Sequence, residues 1–251
     1  MGTTIANLKE ALDTISGGNV LDVATGAGGF IRLMQGALHD AESYTGIDPV
    51  ERAITAARGA GFPENVRFEI MDAEELKFPD GQFDTVSICS SLHHLEKLDQ
   101  SLKEMLRVLR AGGTFIVCEM YRDVPSEAQM THVLLHDWWA ATGMARGIIH
   151  YPTFTRGEII RKITALPLDD VQVWDWIDDS GDPLDPEGLK EIEAIIDRDI
   201  ELLKTLPDGE ALLRTGEELR ARLRRVGVQN AAALVIVGKK GWNNFLERLA
   251  R

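Results

Sequence analysis

Runs at 19–23, 43–47, 66–70, 83–89 and 114–118 are short and rich in β-branched or apolar residues, and helical spacing occupies most of the gaps between them. Phe30, Leu33, Met34 and Leu38 make one such helical face, and Leu98, Leu102, Met105, Leu106 and Leu109 make another. Strands that recur between helices pair in parallel, because a parallel pair needs a crossover connection. The order therefore predicts an α/β fold, a mostly parallel sheet with helices on both faces. Ligands of such sheets bind beyond the carboxyl ends of the strands. The chemistry is expected just after residues 23, 47, 71, 90 and 119.

Flanking segments are less regular. Leu8, Leu12 and Ile15 predict an N-terminal helix that stops at Gly17-Gly18. Residues 121–167 read as one or two helices with loops and carry His132, His136, Trp138, Trp139, Met144, His150, Tyr151 and Phe154. A sixth strand is expected at 171–176, two charged helices within 178–229, and a seventh strand at 231–237. Trp242, Phe245, Leu246 and Leu249 would share one face of a closing helix. With 251 residues, the reading is one domain over 1–251. Its core is 18–120, with a helical lid or substrate-binding insertion at 121–167 and a helical insertion at 178–229.

Charge narrows the partners. A formal charge of −13 repels a phosphate backbone, and no basic patch offsets it, so nucleic acid is not an expected partner. No apolar run reaches the ~18 residues that a membrane span needs. The N-terminus lacks the apolar core of a signal peptide, and Cys89 and Cys118 are too few for a disulfide scaffold, so a cytoplasmic protein is expected. Leu189, Ile192, Ile195 and Ile196 form an apolar stripe that could cover the active site, add a layer to the sheet, or join a second copy as a homodimer.

The first strand runs into Asp22-Val23-Ala24-Thr25-Gly26-Ala27-Gly28-Gly29, and the second ends at Asp48-Pro49. A glycine turn with an acid about 20 residues on suits an adenosine ligand: the backbone comes close, and the acid accepts the ribose hydroxyls. The third glycine of a dinucleotide fingerprint is missing, because Ile31 occupies its place. No Gly-Lys-Ser/Thr of a phosphate loop follows either. An acid ahead of the small residues is a different pattern.

That pattern resembles the first motif of the class I S-adenosylmethionine-dependent methyltransferases, with Ala24 in the first glycine slot. Gly46-Ile47-Asp48-Pro49, Met71-Asp72-Ala73-Glu74-Glu75-Leu76, Ser90-Ser91-Leu92-His93-His94-Leu95 and Arg107-Val108-Leu109-Arg110-Ala111-Gly112-Gly113 continue the likeness in register from 18 to 120. They are similar to the type 11 branch, which includes quinone-biosynthesis methyltransferases. The resemblance implies a Rossmann-like sheet with helical insertions after strands five and six, and S-adenosyl-L-methionine as cofactor. It implies that Asp22, Ala24, Thr25, Gly26 and Gly28 hold the amino-acid portion. Asp48 and Pro49 would hold the ribose, Asp72 and Ala73 the adenine, with Ser90 beside the methyl. Asp72 also suits a helix cap, since Glu75 three residues on completes a capping box.

A sulfonium methyl is already activated, so aligning the acceptor is the main task. Where the acceptor must lose a proton, His93 and His94 are the candidate bases. The N/D-P-P-Y/F run of enzymes that methylate exocyclic nitrogens is absent, and Ser90-Ser91-Leu92 stands in its place. A small organic acceptor, methylated on O, N or C, is the expected substrate. Glu119, His132, His136, Trp138, Trp139, His150 and Tyr151 are candidates to line its pocket, although the aromatics serve equally well as core. No metal is expected. The i,i+4 pair His132 and His136 are the candidate ligands if one binds, with Glu119 or a strand-end histidine. Two other readings remain: a relative of the fold with non-methylating, metal-assisted chemistry, and a module that senses the cofactor.

Overall fold

The structure is a computed structural model, and it describes residues 3–123, 126–178, 180–207 and 209–241. The expected tail helix with Trp242, Phe245, Leu246 and Leu249 lies outside the described residues. The chain divides into two compact units, one of Met1–Glu119, Ile159–Trp176 and Leu234–Arg251, the other of Met120–Glu158 and Ile177–Ala233. The second unit gathers most of the two segments that the sequence reading treats as insertions.

The first unit is built on the sheet. In chain order its described elements begin with β1 (Thr3–Ile5), α1 (Lys9–Leu12), β2 (Ser16–Val23), α2 (Gly29–Gln35) and β3 (His39–Asp48). There follow α3 (Glu51–Gly59), β4 (Val66–Ile70), β5 (Phe83–Cys89), α4 (Leu98–Val108) and β6 (Leu109–Met120). After α5 (Glu127–Ala145) come α6 (Arg156–Thr164) and β7 (Leu168–Trp176), and after α7 (Pro186–Leu203) and α8 (Glu210–Val226) comes β8 (Ala233–Lys240). The strand order is β1-β7-β8-β6-β5-β2-β3-β4. The pairs β1–β7, β2–β3, β2–β5, β3–β4 and β5–β6 are parallel. Central strands of such a sheet are covered on both faces. Accordingly Val20, Leu21, Val23, Val86, Ile88, Ile116 and Val117 are all fully buried. The expected α/β sheet is the one observed, with one strand more.

Several boundaries differ from the sequence reading, three of them instructively. The strand β1 at the sheet edge was not expected; three residues carry too little periodicity to declare themselves. The N-terminal helix spans only Lys9–Leu12, and Gly17 and Gly18 lie inside β2 rather than ending a helix. Gly18 has φ +55° at a register shift in β2, and a Cβ there would fall 2.5 Å from the Asp84 carboxylate, which accepts the Asn19 amide at 2.8 Å. Its glycine serves a β-bulge. Finally, α4 stops at Val108, and Leu109 opens β6 opposite Phe83 instead of closing the helix face.

In the second unit α5, α7 and α8 share a core of Leu135, Trp138, Ile196, Ile200, Leu203, Leu219 and Leu223. The Trp138 indole donates to the Leu212 carbonyl at 2.8 Å. Leu189 and Ile192 pack against this core, so the apolar stripe of α7 is used within the unit. Two of the three helices, α5 and α7, begin on side-chain caps. Ser126 accepts from Gln129 N at 3.1 Å, and Asp185 accepts from Gly188 N at 2.7 Å with Pro186 in the first turn. No helix among the described residues is long and apolar enough to cross a membrane.

Candidate active site

The carboxyl ends of β2, β3 and β5 meet around one short loop. Ala24, Gly26 and Gly28 all have positive φ, at 54°, 56° and 85°, so the chain turns tightly between β2 and α2. Gly28 is sterically required: a Cβ would lie 2.7 Å from the Phe62 ring. Gly26 is the opposite case, with no heavy atom within 4 Å of its notional Cβ. The loop is packed from below at Gly28 and open above at Gly26.

Asp48 fixes this loop from the end of β3. One of its oxygens accepts the Gly26 amide at 3.0 Å, and the other accepts the Val50 amide at 2.9 Å at the start of α3. A carboxylate offers about four lone-pair directions, so acceptor capacity remains for hydroxyls arriving from the crevice. Pro49 follows and is exposed. Thr25 donates its amide to the Ile47 carbonyl and its hydroxyl to Asp22, at 2.9 and 2.7 Å.

Asp22 is almost fully buried, and its other oxygen accepts from Ser87 of β5 at 2.8 Å. Burial raises its pKa from 3.8 to about 6, against the opposing pull of the Thr25 and Ser87 hydroxyls. Its observed role is to brace the loop through Thr25. Ser87 belongs to that brace and was missed from the sequence, where it reads as one polar residue inside a strand.

Asp72 and Ala73 follow β4. Asp72 is exposed and accepts the Glu74 amide at 2.8 Å, which closes a turn and not a helix, so the capping-box alternative is not realised. The next residues are held from α4. Glu74 accepts from Lys97 Nζ at 2.6 Å, and Arg107 donates to the carbonyls of Leu76 and Phe78 at 2.7 and 2.8 Å. Hydrogen bonds to Glu104 and then to Asp80 push the Arg107 pKa further up, so it acts as a permanent cation. This clamp on 76–80 is a function for the Arg107-Val108-Leu109 run that its sequence did not disclose.

After β5 the two histidines separate. Ser90 is exposed with φ +47°, and His94 is exposed, whereas His93 is buried. His93 Nδ1 lies 2.7 Å from a Glu119 oxygen, and the other Glu119 oxygen accepts the amides of Ser91 and Leu92, both at 2.9 Å. Glu119 is therefore fully buried support for the 91–93 turn and does not line a pocket. The histidine rings are 4.3 Å apart.

In the second unit the candidate residues divide. Trp138 is core and Tyr151 is 40% exposed. Trp139 and His150 line a cavity of about 340 Å³. His132 lines a different one of about 290 Å³ and accepts the Ala231 amide at Nδ1. Burial lowers its pKa. His136 meets His150, with ring nitrogens 3.4 Å apart, rather than His132. Among the described residues His132 joins no group of three or more His, Cys, Asp or Glu side chains able to share an ion.

A parallel sheet with a glycine loop locked to the acid of its neighbouring strand defines the class. The arrangement is similar to that of the class I S-adenosylmethionine-dependent methyltransferases of the type 11 branch. Residues 21–117 match the family model described as a methyltransferase domain. The ubiquinone/menaquinone biosynthesis C-methyltransferase UbiE of Geobacter sulfurreducens is 34% identical over 117 residues, 45% of this chain and 46% of that protein. The ajmaline N-methyltransferase of Rauvolfia serpentina is 33% identical over 122 residues, 45% of this chain and 40% of that protein. The chain thus spans about half the length of the curated relatives it matches. In three dimensions, phosphoethanolamine N-methyltransferase 2 of Haemonchus contortus in complex with S-adenosyl-L-methionine superposes with a TM-score of 0.54 at 17% identity. That match covers 90% of this chain and 49% of the other, and it carries the fold alone.

Proposed function

We propose that the protein transfers a methyl group from S-adenosyl-L-methionine to an O, N or C atom of a small organic molecule. The observation that carries this reading is the open backbone over Gly26, with Asp48 already bonded to its amide. The residues fit the donor. The loop from Ala24 to Gly28 would hold the methionine portion, with Thr25 and Asp22 bracing it from beneath. Asp48 beside Pro49 would take the ribose hydroxyls, and Asp72 with the Ala73 backbone would take the adenine edge, while Ser90 borders the crevice. When bound, the donor supplies an electrophilic methyl on a sulfonium. The chain's own work is to hold both reactants and to keep the turn after β5 in place through Glu119.

His94, exposed in the turn after β5, is the candidate to accept a proton from the acceptor. His93 is a positioning residue, buried against Glu119. The relatives methylate different atoms by their names, so the atom methylated here is left open by the likeness. A formal charge of −13 supports a small molecule over nucleic acid. We also propose that the protein works in the cytoplasm, alone or as a homodimer.

Incubation with methyl-labelled S-adenosylmethionine and small-molecule pools, including phenols, quinols and amines, tests the reading. Label is expected in an acceptor smaller than the protein. Label that never leaves the donor with any pool would contradict it. Rates of His94→Ala across pH then separate the base from the scaffold: a lost ionisation supports proton transfer, and an unchanged profile removes it.

A further inference from the structure

Cys89 and Cys118 are the only cysteines of the chain, and methyl transfer uses neither. They are far apart in sequence, yet the parallel pairing of β5 with β6 sets them directly opposite each other. Residues paired in this way leave their strands on the same face of the sheet. Neighbouring strands lie about 4.8 Å apart, inside the Cα separation of roughly 4.4–6.8 Å that a disulfide spans. Both thiols are free. A hydrogen bond between them, and then burial, holds the Cys118 pKa well above the usual thiol range.

Their exposures differ. Cys89 is half-buried at the end of β5, beside the Ser90 hydroxyl at 3.7 Å, whereas Cys118 is buried. An accessible thiol meets an oxidant first, and a second thiol in contact with it is placed to resolve the product. A hydroperoxide would transfer one oxygen to Cys89 Sγ, giving a sulfenic acid and one water. Cys118 Sγ would then attack Cys89 Sγ, the S–O bond would break, and the hydroxyl would leave with the Cys118 proton as a second water. Two thiols and one hydrogen peroxide thus become one disulfide and two waters.

The pair also sits next to the groups that hold the turn after β5. The Ser90 amide donates to the Cys118 carbonyl at 2.7 Å, and Glu119 accepts the Ser91 and Leu92 amides. Cβ atoms joined by a disulfide lie about 3.8 Å apart, closer than neighbouring strands, so a link here draws the two strand ends together and strains that turn. Strained links are the readily reduced ones.

We propose that Cys89 and Cys118 are a redox-sensitive pair that forms a reversible disulfide on exposure to a hydroperoxide, and that the link loosens the turn at 90–93. The pair goes beyond the methyl-transfer reading, and its test needs no methyl donor, so either can fail alone.

The test adds excess hydrogen peroxide to the folded full chain and reads intact mass, thiol titration after denaturation, and non-reducing peptide mapping. The mass is expected to fall by two hydrogens, both thiols to disappear, and one peptide to join Cys89 to Cys118, with dithiothreitol reversing all three. Cys118→Ala should leave a sulfenic acid on Cys89 that dimedone traps, whereas Cys89→Ala should leave Cys118 reduced. In the linked form the Ser91 and Leu92 amides should exchange about 10-fold faster. Two titratable thiols after peroxide, a dimer linked through Cys89, or oxygen added without a link would overturn the pairing. A link that leaves exchange at Ser91 and Leu92 unchanged would overturn its effect on the turn.

Discussion

The two units differ in how completely some of their buried polar groups are matched. At the strand ends of the sheet unit three acids are tied on both oxygens: Asp22 to Thr25 and Ser87, Asp48 to Gly26 and Val50, Glu119 to His93 and the Ser91 and Leu92 amides. In the helical unit the Trp139 indole nitrogen and the Thr142 hydroxyl are buried and have no hydrogen-bond partner among the described residues. The first pattern belongs to a site whose geometry is set before any ligand arrives, at a cost already met in folding.

Three experiments break or sharpen that contrast. The largest effect is expected at Glu119. Glu119→Ala strips the acceptor from two backbone amides and the partner from His93, and should lower unfolding stability by about 4 kcal/mol. Glu119→Gln keeps one carbonyl oxygen and should lose less. Chemical denaturation measures both, and a loss below about 1 kcal/mol for the alanine variant would mean that the turn holds itself.

Next comes the pH response of Asp22. Its folded pKa lies above the unfolded one, so the native state binds the proton more tightly. The sign follows: this contribution to stability is fully present below pH 3.8 and is lost as pH rises through about 6. The loss is at most roughly 3 kcal/mol between those limits. Asp22→Asn should flatten that part of the stability profile, and an unchanged profile would show that Asp22 is well solvated. The smallest effect belongs to the helical unit, where Trp138→Phe removes the donor to Leu212 and leaves a smaller aromatic ring. About 1 kcal/mol is expected from denaturation or from amide exchange in α8.

Where the sequence spoke clearly, a local rule and the fold agreed. Short β-branched or apolar runs and helical spacing between residues 19 and 118 reflect burial in a parallel sheet, and that sheet is what forms. Asp48 was readable because it closes a strand about 20 residues beyond a glycine turn. Gly17-Gly18 misled because a helix stop and a β-bulge both call for glycine, and the residue that decides between them, Asp84, is 66 positions from Gly18. Glu119 and Ser87 were opaque for the same reason. A polar residue inside an apolar strand shows that something must satisfy it, yet the partner comes from another strand end. Of the candidate pocket residues only chain folding could separate Trp138, which is core, from Trp139 beside it, which lines a cavity.

The central claim is that Asp48 and the loop it holds are built for an adenosyl sulfonium donor. Calorimetry with S-adenosylhomocysteine tests it most directly. Micromolar-range 1:1 binding to the wild-type chain is expected, weakened about 100-fold by Asp48→Ala. A folded protein that gives no binding heat, or an Asp48→Ala variant that binds as tightly as wild type, would contradict it.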